Sequence, residues 1–141
     1  MSRNNTNLVP SEAEEAVDQF WNQVDAEFGL LTEADVTHLF LKYNRPFTVE
    51  ELQVYGQILE IERNGETLYP GYQFLNGAVR PIIVKLVMMG TEYGISQPEV
   101  ALWMCRPTTY LNDGLRPVDF LDDPDLVNDI AERNWGIVWY R

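Results

Sequence analysis

The sequence predicts a mainly α-helical fold with a small β-hairpin (α+β): a winged-helix-like N-terminal module packed on a C-terminal helical module. Three observations predict it. Ser11 with Glu14, Thr32 with Asp35, Thr48 with Glu51 and Ser96 with Glu99 each precede an apolar stripe, at the spacing of a reciprocal N-terminal cap. Asn64-Gly65 lies between two apolar runs, a strong hairpin signal because a type I′ turn needs positive φ at both central residues. Residues 82–89 are apolar almost all round, as in a helix buried on every side. With 141 residues, 45% of them hydrophobic and 23% charged, the chain can build one ordinary domain or two small modules sharing a core.

The elements follow in order. Residues 1–10 read as a polar, flexible arm. Residues 11–76 form the helical and winged-helix-like module. Ser11 opens its first helix, with Glu12, Glu14 and Glu15 at the positive end of the helix dipole. Ala13, Ala16, Val17, Phe20, Trp21, Val24 and Phe28 make its stripe, and Gly29 ends it. Thr32 starts a short helix with Val36, Leu39 and Phe40 inward. Residues 42–46 break it, since Pro46 disfavours helix at Arg45. Thr48 starts the next, with Val49, Leu52 and Tyr55 inward and Gly56 at its end. Ile58, Leu59 and Ile61 lead into the hairpin, and the aromatic strand-like segment 69–74 closes at Asn76-Gly77.

Residues 77–141 form the helical module. Pro81 suits a first helical turn. Ile82 to Met89 is the expected centre of the protein, and Gly90 and Gly94 are expected to bracket a loop. Ser96 caps a second buried helix through Met104, stopped by Pro107. Residues 116–121 are expected to form another short helix, and Asp122-Asp123-Pro124-Asp125 caps a last one through Ala131. The sequence ends in an aromatic tail containing Trp135, Ile137, Val138, Trp139, Tyr140 and Arg141.

Charge narrows the function. Twenty-two acids against ten Lys and Arg give −12. That disfavours nonspecific phosphate contacts and an anionic membrane surface, and suits a basic protein partner. Residues 32–66 hold seven acids and only Lys42, Arg45 and Arg63 as bases, a poor endowment for DNA. The single cysteine, Cys105, excludes an internal disulfide and fits a reducing cytoplasm. The longest apolar stretch is too short to span a bilayer, and the N-terminus lacks the apolar centre of a signal peptide. No membrane partner is expected.

The same inventory points away from catalysis. His38 is the only histidine, and an amphipathic helix makes it a surface or partly buried side chain rather than a base. Cys105 follows a buried helix and reads as a packed thiol. Asp119, Asp122, Asp123 and Asp125 could suggest a cation site, but an EF-hand count from Asp122 puts Val127 at the glycine position, and helix capping accounts for Asp122 or Asp123, with Pro124 just inside the helix. No enzyme activity, cofactor or metal is expected.

The back half carries a resemblance. Glu99-Val100-Ala101-Leu102-Trp103-Met104 is followed by Pro107-Thr108-Thr109-Tyr110-Leu111. Arg116-Pro117-Val118-Asp119-Phe120-Leu121 and Asp123-Pro124-Asp125-Leu126-Val127 come next. Together these resemble the toxin-binding domain of the Xre/MbcA/ParS antitoxin family over roughly residues 69–133. Tyr69-Pro70-Gly71-Tyr72-Gln73-Phe74 is similar to a segment that joins the two halves of some members. Asn112-Asp113-Gly114 departs from the family's tighter turn, and Thr108 stands where Asn is common. The resemblance implies a toxin–antitoxin role: a protein partner, a RES-domain toxin that degrades NAD, held inactive by the C-terminal part of the domain. An orphan or phage-borne relative would fit equally. The partner-binding candidates are Arg116, Trp135, Trp139, Tyr140 and Arg141, because Trp, Tyr and Arg are the usual interface anchors. For the tail, the alternative is packing onto its own helices or onto a second copy in a homodimer. For Arg116, it is a structural ion pair with Asp119 or another carboxylate. Two other functions remain open at this point: a winged-helix transcription regulator, and an acidic inhibitor of a host nucleic-acid-binding protein.

Overall fold

A computed structural model describes residues 11–136; the expected arm and the tail from residue 137 onward lie outside them. The protein is mainly α-helical with a small antiparallel sheet. Its front half runs α1 (Glu12–Phe28), β1 (Leu30–Leu31), α2 (Glu33–Lys42), α3 (Val49–Val54), β2 (Ile61–Arg63) and β3 (Glu66–Pro70), with sheet order β1-β3-β2. This is the winged-helix order, with β2–β3 as the wing. Three helices start as their sequence signals predict. At Ser11, Thr32 and Thr48 the hydroxyl accepts the backbone N–H of the acid three residues on, and that acid's carboxylate accepts the cap's own N–H. Asn64 and Gly65 turn the wing at φ 54° and 77°.

Short strands escaped the sequence reading. β1 pairs Leu30 with Pro70 and Leu31 with Tyr69, and two residues are too few to show alternation. β4 (Phe74–Leu75) and β5 (Ala78–Val79) make a second hairpin across Asn76-Gly77.

Two apolar clusters hold the chain together. The smaller contains Val36, Phe40, Val49, Ile58 and Tyr69. The larger gathers Trp21 and Val24 of α1, Leu59 and Ile61, Tyr72, and the buried faces of the back half. It therefore draws on both sides of residue 76. Successive residues Ile58 and Leu59 enter different clusters, across a bend before β2.

The back half contains α4 (Pro81–Tyr93), α5 (Gln97–Met104), a 3₁₀ turn (Pro117–Phe120), α6 (Pro124–Ala131) and a π-helical turn (Glu132–Gly136). Ile82, Ile83, Leu86, Val87 and Met89 of α4 are buried. Two expectations need correction here. Met88 is 61% exposed, because it lies two residues, roughly 200° around the helix, from buried Leu86. Gly90 lies inside α4, not in a loop. A Cβ there would come within 3.0 Å of both the Ile95 carbonyl oxygen and the Val100 side chain, so glycine lets α5 approach. The loop begins only at Gly94, the left-handed cap of α4.

Two further corrections concern the front half. Tyr55 was expected inward but is 73% exposed; six residues after buried Val49, it is rotated roughly 120° off that face. On α1 only Trp21 and Val24 are buried, whereas Ala13, Ala16 and Val17 are exposed. What meets the first half of that helix is the wing's Arg63, bound to Asp18 at 2.8 Å, rather than apolar surface.

Candidate functional site

The segment from Tyr69 to Phe74 is the joint between the halves. The Tyr69 side chain lies in the smaller cluster, with its hydroxyl accepting from Gln53 at 2.6 Å. Burial pushes this phenol up to about 12. Tyr72 lies in the larger cluster and donates to the Ala101 carbonyl of α5 at 3.2 Å. Gln73 is fully buried. Its Oε1 accepts the Leu59 N–H at 2.8 Å, and its Nε2 donates to the carbonyls of Leu59 (2.7 Å) and Pro70 (3.1 Å). That satisfies the polar atoms of a buried link, as a low-dielectric interior demands. Gly71 passes so close to α1 that a Cβ would lie 2.1 Å from the Phe28 carbonyl oxygen.

The candidate site residues have definite places. Arg116 ties the end of α1 to the 3₁₀ turn. Its guanidinium makes two bonds to the Glu27 carboxylate, at 2.9 and 2.7 Å, and two to Asp119, at 3.3 and 3.0 Å. It also lies 5.8 Å from the Phe28 ring centre. Hydrogen bonding to Arg116 holds both carboxyls below their ordinary range and holds the guanidinium further up. Trp135 is 6% exposed and packs on Trp103, with ring centres 4.9 Å apart. Trp103 Nε1 donates to Asn134 at 3.0 Å, fixing the stack. Trp135 thus belongs to the apolar core. Trp139, Tyr140 and Arg141 lie outside the described residues.

Three of the four acids of the 119–125 stretch have partners: Asp119 is bound by Arg116, Asp122 by Arg80 at 3.4 Å, and Asp123 caps α6. Among the described residues, no group of three or more His, Cys, Asp and Glu could hold a metal ion. His38 is exposed on α2. Cys105 is buried, and burial pushes its thiol up to about 12, which keeps it protonated and poorly nucleophilic. Among the described residues no helix is long and apolar enough to cross a membrane.

The winged-helix face is acidic. Glu33, Asp35, Glu50, Glu51, Glu62 and Glu66 are exposed. Of the three bases on residues 32–66, Arg63 is held by Asp18 and Asn22, and Arg45 donates to the Asn76 carbonyl at 2.7 Å. Lys42 lies over the ring of neighbouring Tyr43. The first turn of α3, where a recognition helix would present its base-reading side chains, carries Glu50 and Glu51 instead.

Three exposed apolar features were not anticipated as site elements. The loop after α5, closed by Thr108 N–H to the Leu115 carbonyl and turned by Asp113 and Gly114 at positive φ, presents Tyr110 and Leu115 to solvent. The Arg133 guanidinium lies 6.0 Å from the Tyr110 ring centre. Val54, Tyr55 and Met88 are exposed where α3 meets α4. Leu41 and Leu75 are exposed elsewhere on the front half. For Leu41, Val54 and Met88 the sequence signal is an apolar residue off its helix's buried stripe, legible only once that stripe is fixed.

No family model matches the chain, and no curated protein matches it. Among solved structures, the fold is similar to that in the "NMR structure of Rv2175c", with a TM-score of 0.60 and 19% sequence identity. The similarity covers 79% of this chain and 82% of that one. At such identity the likeness bears on the fold alone.

Proposed function

We propose that the protein is a protein-binding neutraliser resembling an antitoxin, with a RES-domain NAD-degrading toxin as partner, acting in the cytoplasm and not as an enzyme. The observation that carries this reading is the electrostatics of the winged-helix face: exposed carboxylates on α2, α3 and the wing, with both arginines engaged internally. A surface that neutralises no phosphates gains little from DNA, whose affinity rests on cation contacts. The same field favours encounter with a basic protein. The back half supplies contact chemistry in Tyr110 with Arg133 over its ring, a pairing of the residue types that dominate interface energetics.

The test pairs two assays. A RES-domain protein encoded beside this gene is titrated with the purified protein while NAD consumption is followed. The reading expects stoichiometric inhibition; undiminished NAD loss at large excess refutes it. In parallel, a mobility assay with mixed-sequence duplex DNA at near-physiological salt is expected to show no shift. A shift at micromolar protein that weakens with added salt would instead favour the transcription-regulator function that the element order suggests.

A further inference from the structure

Two surface depressions at the junction of the two halves share Gln97, the first residue of α5, and together offer one groove-like surface. The first is walled by the exposed side chains of Val54, Tyr55 and Met88, which are 75%, 73% and 61% exposed. The second is bordered by Glu60 and Glu62. Gln97 is fixed between them, its side-chain oxygen accepting the Glu60 N–H at 2.8 Å. Glu60 and Glu62 are two apart on an extended stretch and so share a face, with buried Ile61 turned the other way. Among the described residues no cation lies within ion-pair distance of either carboxylate. Burial raises the Glu60 carboxyl above its ordinary value; a hydrogen bond with the Gln53 side chain opposes this, and the charge of Glu62 adds to the rise. On α4, Lys85 and Glu92 flank Met88 and oppose one another in charge.

We propose that this groove docks a segment of another protein that carries a large apolar side chain followed by Lys or Arg. The apolar group would rest on Val54, Tyr55 and Met88, and the cation would lie between Glu60 and Glu62. Charge complementarity selects this occupant: a carboxylate pair without a counter-ion adjoins an exposed apolar patch, on a chain of net charge −12. An acidic segment would meet like charge at one end, and a purely apolar one would leave two carboxylates partly desolvated with no cation to balance them. The proposal rests on the protein-binding reading above but places contact at the junction of the halves, on surface that the antitoxin-like segments do not supply.

The probe is a short amphipathic Leu–Lys peptide, with a Leu–Glu peptide of the same pattern as comparison. Amide chemical-shift changes in the full chain should centre on residues 54, 55, 60, 88 and 97 with the first peptide and be absent with the second. Tyr55→Ser and Met88→Ser should each weaken binding about tenfold. Their melting points should stay unchanged, since both side chains are exposed. Glu60→Gln should reduce the salt dependence of binding. Leu41→Ser, on another exposed apolar position, should bind as the parent does.

Several results overturn the proposal. They are equal binding of the Leu–Glu peptide, equal weakening by Leu41→Ser, and binding that appears only after removal of residues 137–141. The last would make the chain's own terminus the occupant. Self-association abolished by Tyr55→Ser would make it a second copy. Failure here is distinguishable from failure of the toxin reading. If the wild type and Tyr55→Ser inhibit NAD consumption equally, the groove is refuted as the toxin's contact while inhibition stands. If neither inhibits, the toxin reading fails and the peptide mapping alone judges the groove.

Discussion

Replacing Gln73 with methionine isolates the polar clasp at the joint. Met keeps the length and nearly the volume of the side chain, so cavity formation contributes little. It removes all three hydrogen bonds that Gln73 makes to Leu59 and Pro70. Leu59 is fully buried, so its N–H and C=O lose their side-chain partner away from water. Each unsatisfied buried group costs about 1–3 kcal/mol, which puts the loss near 3 kcal/mol. For a chain of this length that corresponds to a melting point lower by about 10 °C. Urea unfolding measures it, with an unchanged slope certifying that stability rather than compactness has moved. Gln73→Glu should lose at least as much at neutral pH, because a carboxylate would face two carbonyl oxygens. A loss below about 1 kcal/mol for Gln73→Met would refute the reasoning, since it would mean that water or backbone relaxation satisfies Leu59 as well as Gln73 does.

Arg116→Ala tests the tie between α1 and the 3₁₀ turn through its pH dependence. The folded-state carboxyls of Glu27 and Asp119 are depressed, so their contribution is present above the unfolded values, about 4.3 and 3.9, and is lost as pH falls through the folded ones. The variant's stability should fall less steeply over that acidic window. The difference should be about 1 kcal/mol, because solvent screens these half-exposed groups. The capping acids Glu14, Asp35 and Glu99 are also depressed, so a residual slope should survive; an unchanged profile refutes the tie. Gly71→Ala should abolish folding or move α1, since the contact at 2.1 Å is with backbone. Gly65→Ala has open space and should cost only about 1 kcal/mol, through its positive φ. Native Cys105 should resist alkylation at neutral pH until denaturant is added; rapid native labelling would show that the thiol is neither buried nor held protonated.

Much of the fold was legible because its signals are local. A capping box acts within four residues and needs no tertiary information, so Ser11, Thr32, Thr48 and Ser96 mark their helices unaided. Asn64-Gly65 likewise fixes its own turn. The failures arose where a partner decides the outcome. β1 exists because β3 pairs with it. Gly90 stays helical because α5 closes over it, whereas the sequence shows only a glycine that could equally end a helix. Tyr55 and Met88 look like core residues by composition but sit on the wrong side of their helices, and short or uniformly apolar stretches conceal which side that is. Among the candidate site residues, Arg116 shows the limit: the sequence points to an ion pair with Asp119 or another carboxylate, but no local pattern singles out Glu27, 89 residues away.

The arginines share a pattern that bears on the behaviour of the whole molecule. Arg45, Arg63, Arg80 and Arg116 each bind a group 31 to 89 residues distant in the chain. With 22 acids and 10 Lys and Arg, this spends much of the positive charge on internal ties and leaves the outer surface largely acidic. Such a surface repels itself, which opposes the compact state. Salt then acts in two directions. It weakens the ties, most of all that of Arg80 to the exposed Asp122 at 3.4 Å, but the guanidinium groups themselves are shielded from solvent, with side-chain exposures of 17%, 18% and 24% for Arg63, Arg80 and Arg116. It also screens repulsion among exposed carboxylates at longer range, where a Debye length of about 10 Å at 0.1 M is most effective. The second effect should win. The melting point is therefore expected to rise between low and moderate sodium chloride, measured by circular dichroism at neutral pH, while binding to a basic partner weakens over the same range. A melting point that falls steadily with salt would show that the arginine ties, not acid repulsion, dominate the electrostatics of this fold.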